Sequence, residues 1–226
     1  MKPLKAEPAA RKKPAAATAA PSGKHALAPE PAPEPKPYHH GNLRETLLAA
    51  ADAVLARQGA TGITLRDVAK AAGVSHAAPY HYFTSLDEML AAVAERGFAQ
   101  LAAAMAAPAG ESDSRERLLQ ICEAYVNCAR SHPAQFRLMF GPLLARKHEF
   151  PTLKTAAEGA FAQLLAASTA LDAGRGPELA LLGWSLAHGL SNLLIDGAFD
   201  GLPMELPAGA TLARQLAARA LGELGR

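Results

Sequence analysis

Hydrophobic residues recur at intervals of three and four along most of this chain, and polar residues fill the positions between them. That period is typical of α-helices with one buried face. Capping residues, glycines and prolines divide the pattern into successive helices, which we place at 42–58, 64–72, 75–82, 85–107, 113–132, 134–140, 152–170, 177–195 and 213–224. Since no stretch shows the strict alternation of a strand, the sequence predicts an all-α fold.

The segment from Thr64 to Phe83 has the pattern of two short helices joined by a tight turn. Thr64 can cap the first helix together with Asp67, and Gly73 can adopt the left-handed conformation that ends it. Ser75 is placed to cap a second helix, whose side chains are too small and too polar for a core helix. This pattern predicts a helix-turn-helix whose second helix enters the major groove of DNA.

The same segment, GITLRDVAKAAGVSHAAPYHYF from Gly62, is followed by SLDEML from Ser85. Over about residues 42–101 it resembles the DNA-binding domain of the tetracycline-repressor (TetR) family of regulators. A shorter element, WSLAHG from Trp184, is similar to the WHG-type C-terminal domain of one branch of that family. The resemblance implies a three-helix helix-turn-helix DNA-binding domain at 41–86 and a helical effector-binding and dimerisation domain at 87–226.

The resemblance and the predicted motif together indicate which side chains contact DNA. Arg66 matches a position where the family contacts DNA, and a guanidinium can bind guanine in a bidentate manner. Tyr80 matches the family tyrosine, whose hydroxyl reaches a phosphate while its ring packs on the domain. His76 can donate to a base or a phosphate, and neighbouring alanine methyls can contact thymine methyls. The expected DNA-binding set is Thr64, Arg66, Ser75, His76, Ala77, Ala78, Tyr80, His81 and Thr84.

Two positions depart from the family pattern. Pro79 stands where leucine is frequent, and proline in the first turn of a helix removes few backbone bonds. Leu86 stands where a phosphate-binding lysine is common, so one backbone contact to DNA is missing. We expect the hydroxyls of Thr84 and Ser85, with the helix N-terminus at Ser85, to replace it. For Arg66, the alternative is an exposed arginine that serves only solubility.

The last two predicted helices carry the signals for assembly. The helix at 177–195 has apolar stripes on nearly opposite sides, and such a helix must be covered on both faces. The stripes are Leu179/Leu182/Leu186/Leu190/Leu193 and Leu181/Trp184/His188/Asn192/Ile195. The final helix has a seam of alanine and leucine that suits close packing. Together they predict a homodimer through the last two helices, arranged as an intersubunit four-helix bundle.

Trp184, His188 and Asn192 share one face of their helix, which leaves two interpretations open. In one, they are core residues and a neighbouring side chain satisfies the imidazole. In the other, they line an effector pocket, because an aromatic wall with a few polar groups is what a mostly apolar ligand needs. Phe136, Phe140 and Phe161 are further candidates for the lining, or for the core.

Composition and charge limit the alternatives. The chain has 226 residues, of which 50% are hydrophobic, enough for a sizeable core and a second small one. The net charge of +2 hides a basic N-terminus, since residues 1–40 hold seven Lys and Arg against three Glu. We expect this Ala/Pro/Lys-rich segment to be a disordered tail, acting either as a solubilising segment or as a basic arm along the phosphates.

Several classes of protein lack support in the sequence. The two cysteines, Cys122 and Cys128, are out of phase on one helix and cannot form a disulfide with each other, which favours a reducing cytoplasm. We find no secretory signal, no membrane span, and no residue spacing that suggests a metal or cofactor site.

The leading functional hypothesis is a homodimeric repressor that binds a palindromic, double-stranded operator and is released by a small-molecule effector. A ligand-independent architectural DNA-binding protein is one alternative. A small helical enzyme is another, although no catalytic motif supports it.

Overall fold

The structure is a computed structural model that describes residues 43–106 and 113–223. Its α-helices are α1 (Leu43–Gln58), α2 (Leu65–Ala71), α3 (Leu86–Ala106), α4 (Ser114–Ser131), α5 (Pro133–Met139), α6 (Pro142–Ala145), α7 (Pro151–Leu171), α8 (Gly176–Ile195) and α9 (Gly209–Glu223). Two 3₁₀ turns, at Ala78–His81 and Lys147–Glu149, complete the helical elements. The all-α prediction is confirmed, and these residues contain no strand. The expected tail at 1–40 lies outside the described residues.

The N-terminal part, residues 43–83, is called the head below. Leu47 and Val54 of α1 pack with Val68 of α2 and with Phe83, and all four are buried. The Thr64 hydroxyl oxygen accepts from the Asp67 amide at 3.1 Å, and the Asp67 carboxylate accepts from the Thr64 amide at 3.0 Å. The predicted first helix of the motif is therefore confirmed with its cap.

Gly73 ends this first helix in the way the sequence predicts. Its φ of +69° lies in the left-handed region, which a residue with a Cβ rarely adopts. The Val74 amide then donates to the carbonyl of Ala69 at 3.0 Å, which closes the turn.

The second helix of the motif differs from the prediction. Instead of a capped α-helix from Ser75, the chain forms a 3₁₀ turn at Ala78–His81, and no side chain caps it. Pro79 explains the difference, because it has no N–H to donate to the Ser75 carbonyl. Ala78 donates to that carbonyl instead, at 3.0 Å and with the shorter 3₁₀ spacing.

The start of α3 also differs in part from the predicted Ser85–Glu88 capping box. The Ser85 hydroxyl oxygen accepts from the Glu88 amide at 3.1 Å, as expected. The Glu88 carboxylate, however, accepts from the amide and the hydroxyl of Thr84, at 2.6 and 2.7 Å.

The remaining helices form the body, residues 86–223 apart from the undescribed 107–112. α3 packs along α7, and α4 packs against both α8 and α9. Gly97 allows α5 to approach α3 closely, because a Cβ at this position would lie 2.5 Å from Met139 Sδ. A single apolar cluster continues from the head into the body through α3. Because this packing marks no division, the predicted domain boundary between residues 86 and 87 remains a prediction.

The exposure of α8 and α9 differs from the two-stripe interpretation. Trp184, His188 and Ile195 are half-buried against their own subunit, and among the apolar residues of α8 only Leu181 and Leu193 are strongly exposed, at 53% and 46%. The alanine seam of α9 faces α4, where Ala213 and Ala217 are buried.

Candidate DNA-reading surface and effector cavity

The head presents an exposed, basic surface around the turn of the motif. We define the head surface by its exposed side chains: Arg66, Lys70, Ser75, His76, Ala77, Tyr80, His81 and Tyr82. Within the described part of the chain, neither Arg66 nor Lys70 makes an ion pair. Asp67, an acidic residue next to this surface, is half-buried, and its carboxylate accepts from the Thr64 amide and hydroxyl, the latter at 2.6 Å. Such a surface attracts phosphate without a competing intramolecular partner.

Most of the residues predicted to contact DNA belong to this surface, and three differ in their surroundings. Ala78 is buried, with 8% of its surface exposed, so its methyl faces the head and not the solvent. The ring of Tyr80 was expected to pack on the domain, but 64% of the residue is exposed. Thr84 is exposed, yet its hydroxyl donates to Glu88.

The hydrogen bonds from Thr84 have an electrostatic consequence. They hold the pKa of the Glu88 carboxyl below its usual value, so that it carries a negative charge beside the expected phosphate contact. Among the described residues, the Ser85 hydroxyl accepts from the Glu88 amide and donates to no partner, so its proton is available for a phosphate. Ser85 therefore suits this contact better than Thr84.

Two exposed residues of the head surface, Lys70 and Tyr82, are not in the DNA-binding set predicted from the sequence. Lys70 lies in the last turn of α2, and Tyr82 follows the 3₁₀ turn with 39% of its surface exposed. The sequence signal for Lys70 was available, because it lies four residues after Arg66 and so shares a helix face with it.

The body contains a cavity of about 410 Å³ between α3, α4, α7 and α8. It is lined by Phe98, Leu101, Met105, Tyr125, Phe140, Lys147, Ala157, Glu158, Ala160, Phe161, Leu164, Leu181 and Trp184. Its volume falls in the range of small-molecule sites, and its walls are mostly aromatic and aliphatic. We call it the aromatic cavity.

The structure divides the predicted effector residues into two groups. Phe140, Phe161 and Trp184 line the aromatic cavity, as proposed from the sequence. Phe136 and His188 lie behind the wall, with ring centroids 5.3 Å apart, and His188 contacts Phe140 at 4.5 Å. Asn192 does not line the cavity, and its side-chain amide donates to the His188 carbonyl at 2.9 Å.

His188 finds its partner within the protein. The Tyr125 hydroxyl and the His188 Nδ1 form a hydrogen bond of 3.0 Å between α4 and α8. Burial raises the pKa of Tyr125 and lowers the pKa of His188, so both side chains are neutral at physiological pH. This neutral pair holds the wall of the cavity in place behind Phe140. It agrees with the interpretation in which His188 is a core residue whose imidazole is satisfied by a neighbouring side chain.

The sequence could not reveal Tyr125 and Lys147 as lining residues. Tyr125 belonged to an ordinary apolar stripe of α4, and it meets His188 only because α4 packs on α8. Lys147 lies in the link between α5 and α7, where no helix was predicted.

α5 contacts both the head and the wall of the cavity. The Gln135 side-chain amide donates to Asp52 Oδ1 of α1 at 3.2 Å, whereas Phe136 next to it packs edge to face on Tyr125 at 5.9 Å. Burial raises the pKa of Asp52, and the charges of Arg96 and His132 oppose that rise. A movement of α5 would therefore change contacts on both sides.

Within the described residues, each helix is too short or too polar to span a lipid bilayer. The same residues hold no group of three or more His, Cys, Asp or Glu side chains arranged to bind a metal ion.

Comparison with known proteins gives two family matches. Residues 47–93 match the family described as "Bacterial regulatory proteins, tetR family", and residues 118–219 match "Tetracyclin repressor-like, C-terminal domain". The second match includes the WSLAHG element. No curated protein matches the sequence.

Solved structures share the fold. A protein of unknown function from Rhodococcus sp. RHA1 is 31% identical, with a TM-score of 0.69, over 82% of this chain and 96% of that chain. A putative TetR-family regulator from Vibrio parahaemolyticus is 20% identical, with a TM-score of 0.58, over 79% and 97% of the two chains. PfmR, a TetR-family regulator from Thermus thermophilus, is 20% identical, with a TM-score of 0.59, over 78% and 97%.

Proposed function

Because the chain belongs to the TetR family of transcriptional regulators, which are DNA-binding proteins and not enzymes, we propose that it is a repressor released from its operator by a small molecule. The observation that carries this proposal is the aromatic cavity, since a protein that only bound DNA would have no need of about 410 Å³ of apolar space in its body. A ligand-independent architectural protein would lack such a site.

The head surface is proposed to read the operator. Arg66 contacts base edges, Tyr80 and Ser85 contact phosphates, and His76, Ala77 and His81 complete the contacts of the 3₁₀ turn. The exposure of these side chains and the unpaired state of Arg66 among the described residues support this assignment. Ala78 has a structural role because its side chain is buried.

We propose that the protein acts as a homodimer through α8 and α9 on a palindromic operator. Exposed apolar side chains support this interface: Leu181, Leu193, Leu202, Met204, Leu206 and Leu216 are between 38% and 60% exposed and lie on α8, on α9 or in the connection between them. We leave Leu221 out of the proposed interface, because it is half-buried against its own subunit.

The proposed release mechanism uses α5 as the connection between cavity and head. A ligand that pushes on Phe140 displaces Phe136 behind it, since the ring centroids are 4.9 Å apart. The displacement shifts α5, and Gln135 transmits the shift to Asp52 on α1. The ligand favours a state in which the two head surfaces no longer match successive major grooves. Such a regulator works beside the chromosome, and we place it in the cytoplasm.

The proposal is tested by selecting bound sequences from a random DNA pool and measuring affinity for the selected operator by fluorescence anisotropy. Small-molecule libraries are then screened for loss of binding. We expect a two-fold symmetric motif and at least one compound that releases it. A motif without symmetry would contradict the dimeric mode of binding. A complete library screen in which cavity-binding compounds leave operator affinity unchanged would favour the architectural alternative.

A further inference from the structure

The two charged residues that line the aromatic cavity differ in their exposure and in their ion pairing. Glu158 is exposed, and its carboxylate pairs with Lys154, whose Nζ lies 3.7 Å from Oε1. Lys147 is half-buried, and no carboxylate of the described residues pairs with it. Since Glu158 pairs with Lys154, Lys147 is the charged lining residue that has no ion-pair partner among the described residues.

The polar groups deeper in the cavity are already engaged. The Tyr125 hydroxyl bonds to His188 Nδ1 at 3.0 Å, and a side-chain hydrogen bond with Trp184 partly offsets the rise in the Tyr125 pKa. The remaining walls are aliphatic and aromatic. A polar group of a ligand would lose its hydration there without gaining a partner, so it belongs beside Lys147.

From these observations we propose that the aromatic cavity takes an amphiphilic carboxylate, with an apolar body inside the cavity and one carboxylate bound to Lys147. This inference rests on the proposed function, because it names the chemical class of the effector for that cavity. At roughly 30 Å³ for each water-sized group, the volume suits a ligand of about ten to twenty non-hydrogen atoms. A charge-assisted contact to a lysine then decides between ligands with equal apolar bodies.

The main competitor is a hydrophobic cation. The cavity is rich in aromatic faces, which attract quaternary ammonium groups, and Glu158 could supply a counter-charge. We favour the anion because Glu158 already has a partner in Lys154, whereas Lys147 has none among the described residues. The two possibilities make opposite predictions for ligands that differ only in the head group.

The test uses three probes with the same ten-carbon chain: decanoate, decan-1-ol and decyltrimethylammonium. Their dissociation constants for the full chain are measured by isothermal titration calorimetry at fixed pH and ionic strength. We expect decanoate to bind about five to twenty times more tightly than decan-1-ol, and the cation to bind most weakly. Decan-1-ol binding as tightly as decanoate, or the cation binding most tightly, would overturn the inference.

Two variants separate Lys147 from general electrostatics. Lys147→Gln should weaken decanoate binding about tenfold and leave decan-1-ol within about twofold, because the apolar contacts persist. Arg57→Gln removes one positive charge from an exposed position of α1 and should leave all three affinities unchanged. Equal losses of decanoate affinity in both variants would contradict a specific contact.

The outcomes distinguish this inference from the proposed function. If decanoate binds no more tightly than decan-1-ol and keeps its affinity in Lys147→Gln, the cavity is a ligand site but the carboxylate assignment is wrong. If none of the three probes binds, the inference is contradicted, whereas the role of the cavity as effector site is decided separately by the screen for operator release. Circular dichroism of each variant before titration confirms that it is folded like the wild type.

Discussion

The head and the body hold their functional residues in different ways. In the head, the groups that position Arg66 are neighbours in sequence, since Thr64 and Asp67 cap the helix on which Arg66 lies. In the body, the cavity wall depends on a bond between Tyr125 and His188, which are 63 residues apart. The head surface is thus a property of local sequence, whereas the aromatic cavity is a property of helix packing. Variants should therefore affect the two regions separately.

The largest expected effect comes from breaking the proposed dimer. Glutamate at both Leu193 and Leu216 places charge at two exposed apolar positions and should give folded monomers. Because a single half-site offers too few contacts, operator affinity should fall more than a hundredfold. Light scattering and anisotropy measure the two effects, and Gln58→Glu, at the exposed end of α1, is the control. A wild type that is monomeric at micromolar concentration would refute the interface.

A smaller effect is expected within the head. Arg66→Ala should cost about 1 to 3 kcal/mol of operator binding and relax the preference at one base position. Tyr80→Phe removes a phosphate contact and should weaken all sequences alike. Both variants should keep the wild-type affinity for cavity ligands. If Arg66→Ala selected the same motif with the same affinity, its proposed role in reading bases would be wrong.

The contrast between head and body also explains which predictions succeeded. The cap at Thr64 and the turn at Gly73 depend on adjacent residues, so the sequence located them correctly. The predicted α-helix from Ser75 is wrong for a local reason as well. Pro79 is tolerable in the first turn of a helix, but here it changes the spacing of the hydrogen bonds. Phe140, Phe161 and Trp184 were identified as aromatic residues with helical spacing. Lys147 was missed because its position depends on how the link between α5 and α7 folds back on the cavity.

The smallest expected effect concerns the stability of the cavity wall. His188→Ala removes the partner of the Tyr125 hydroxyl, and an unpaired buried hydroxyl costs about 1 to 3 kcal/mol. We expect the melting temperature to fall by several degrees while operator affinity stays unchanged. Combining Tyr125→Phe with His188→Ala should destabilise by less than the sum of the single changes. Strict additivity would show that the pair does not act as a unit.

The pH dependence of stability provides a second test of the same pair. Burial lowers the pKa of His188, so the unfolded chain takes up a proton at a higher pH than the folded chain does. Stability should therefore decrease as the pH falls below about 6.5 towards the lowered pKa. His188→Gln should flatten the melting temperature between pH 7 and 5.5. An unchanged slope in that variant would assign the effect to another group.

The central claim is that occupation of the aromatic cavity controls the head surface. The most direct measurement is the anisotropy of labelled operator during titration with a releasing compound, for the wild type and for Ala157→Trp, which fills the cavity with an indole. We predict that the wild type releases the operator as the compound is added. Ala157→Trp should stay folded, and its operator affinity, whether high or low, should not change when the compound is added. Release from Ala157→Trp at the wild-type ligand concentration would contradict the account, because the compound would then act outside the cavity.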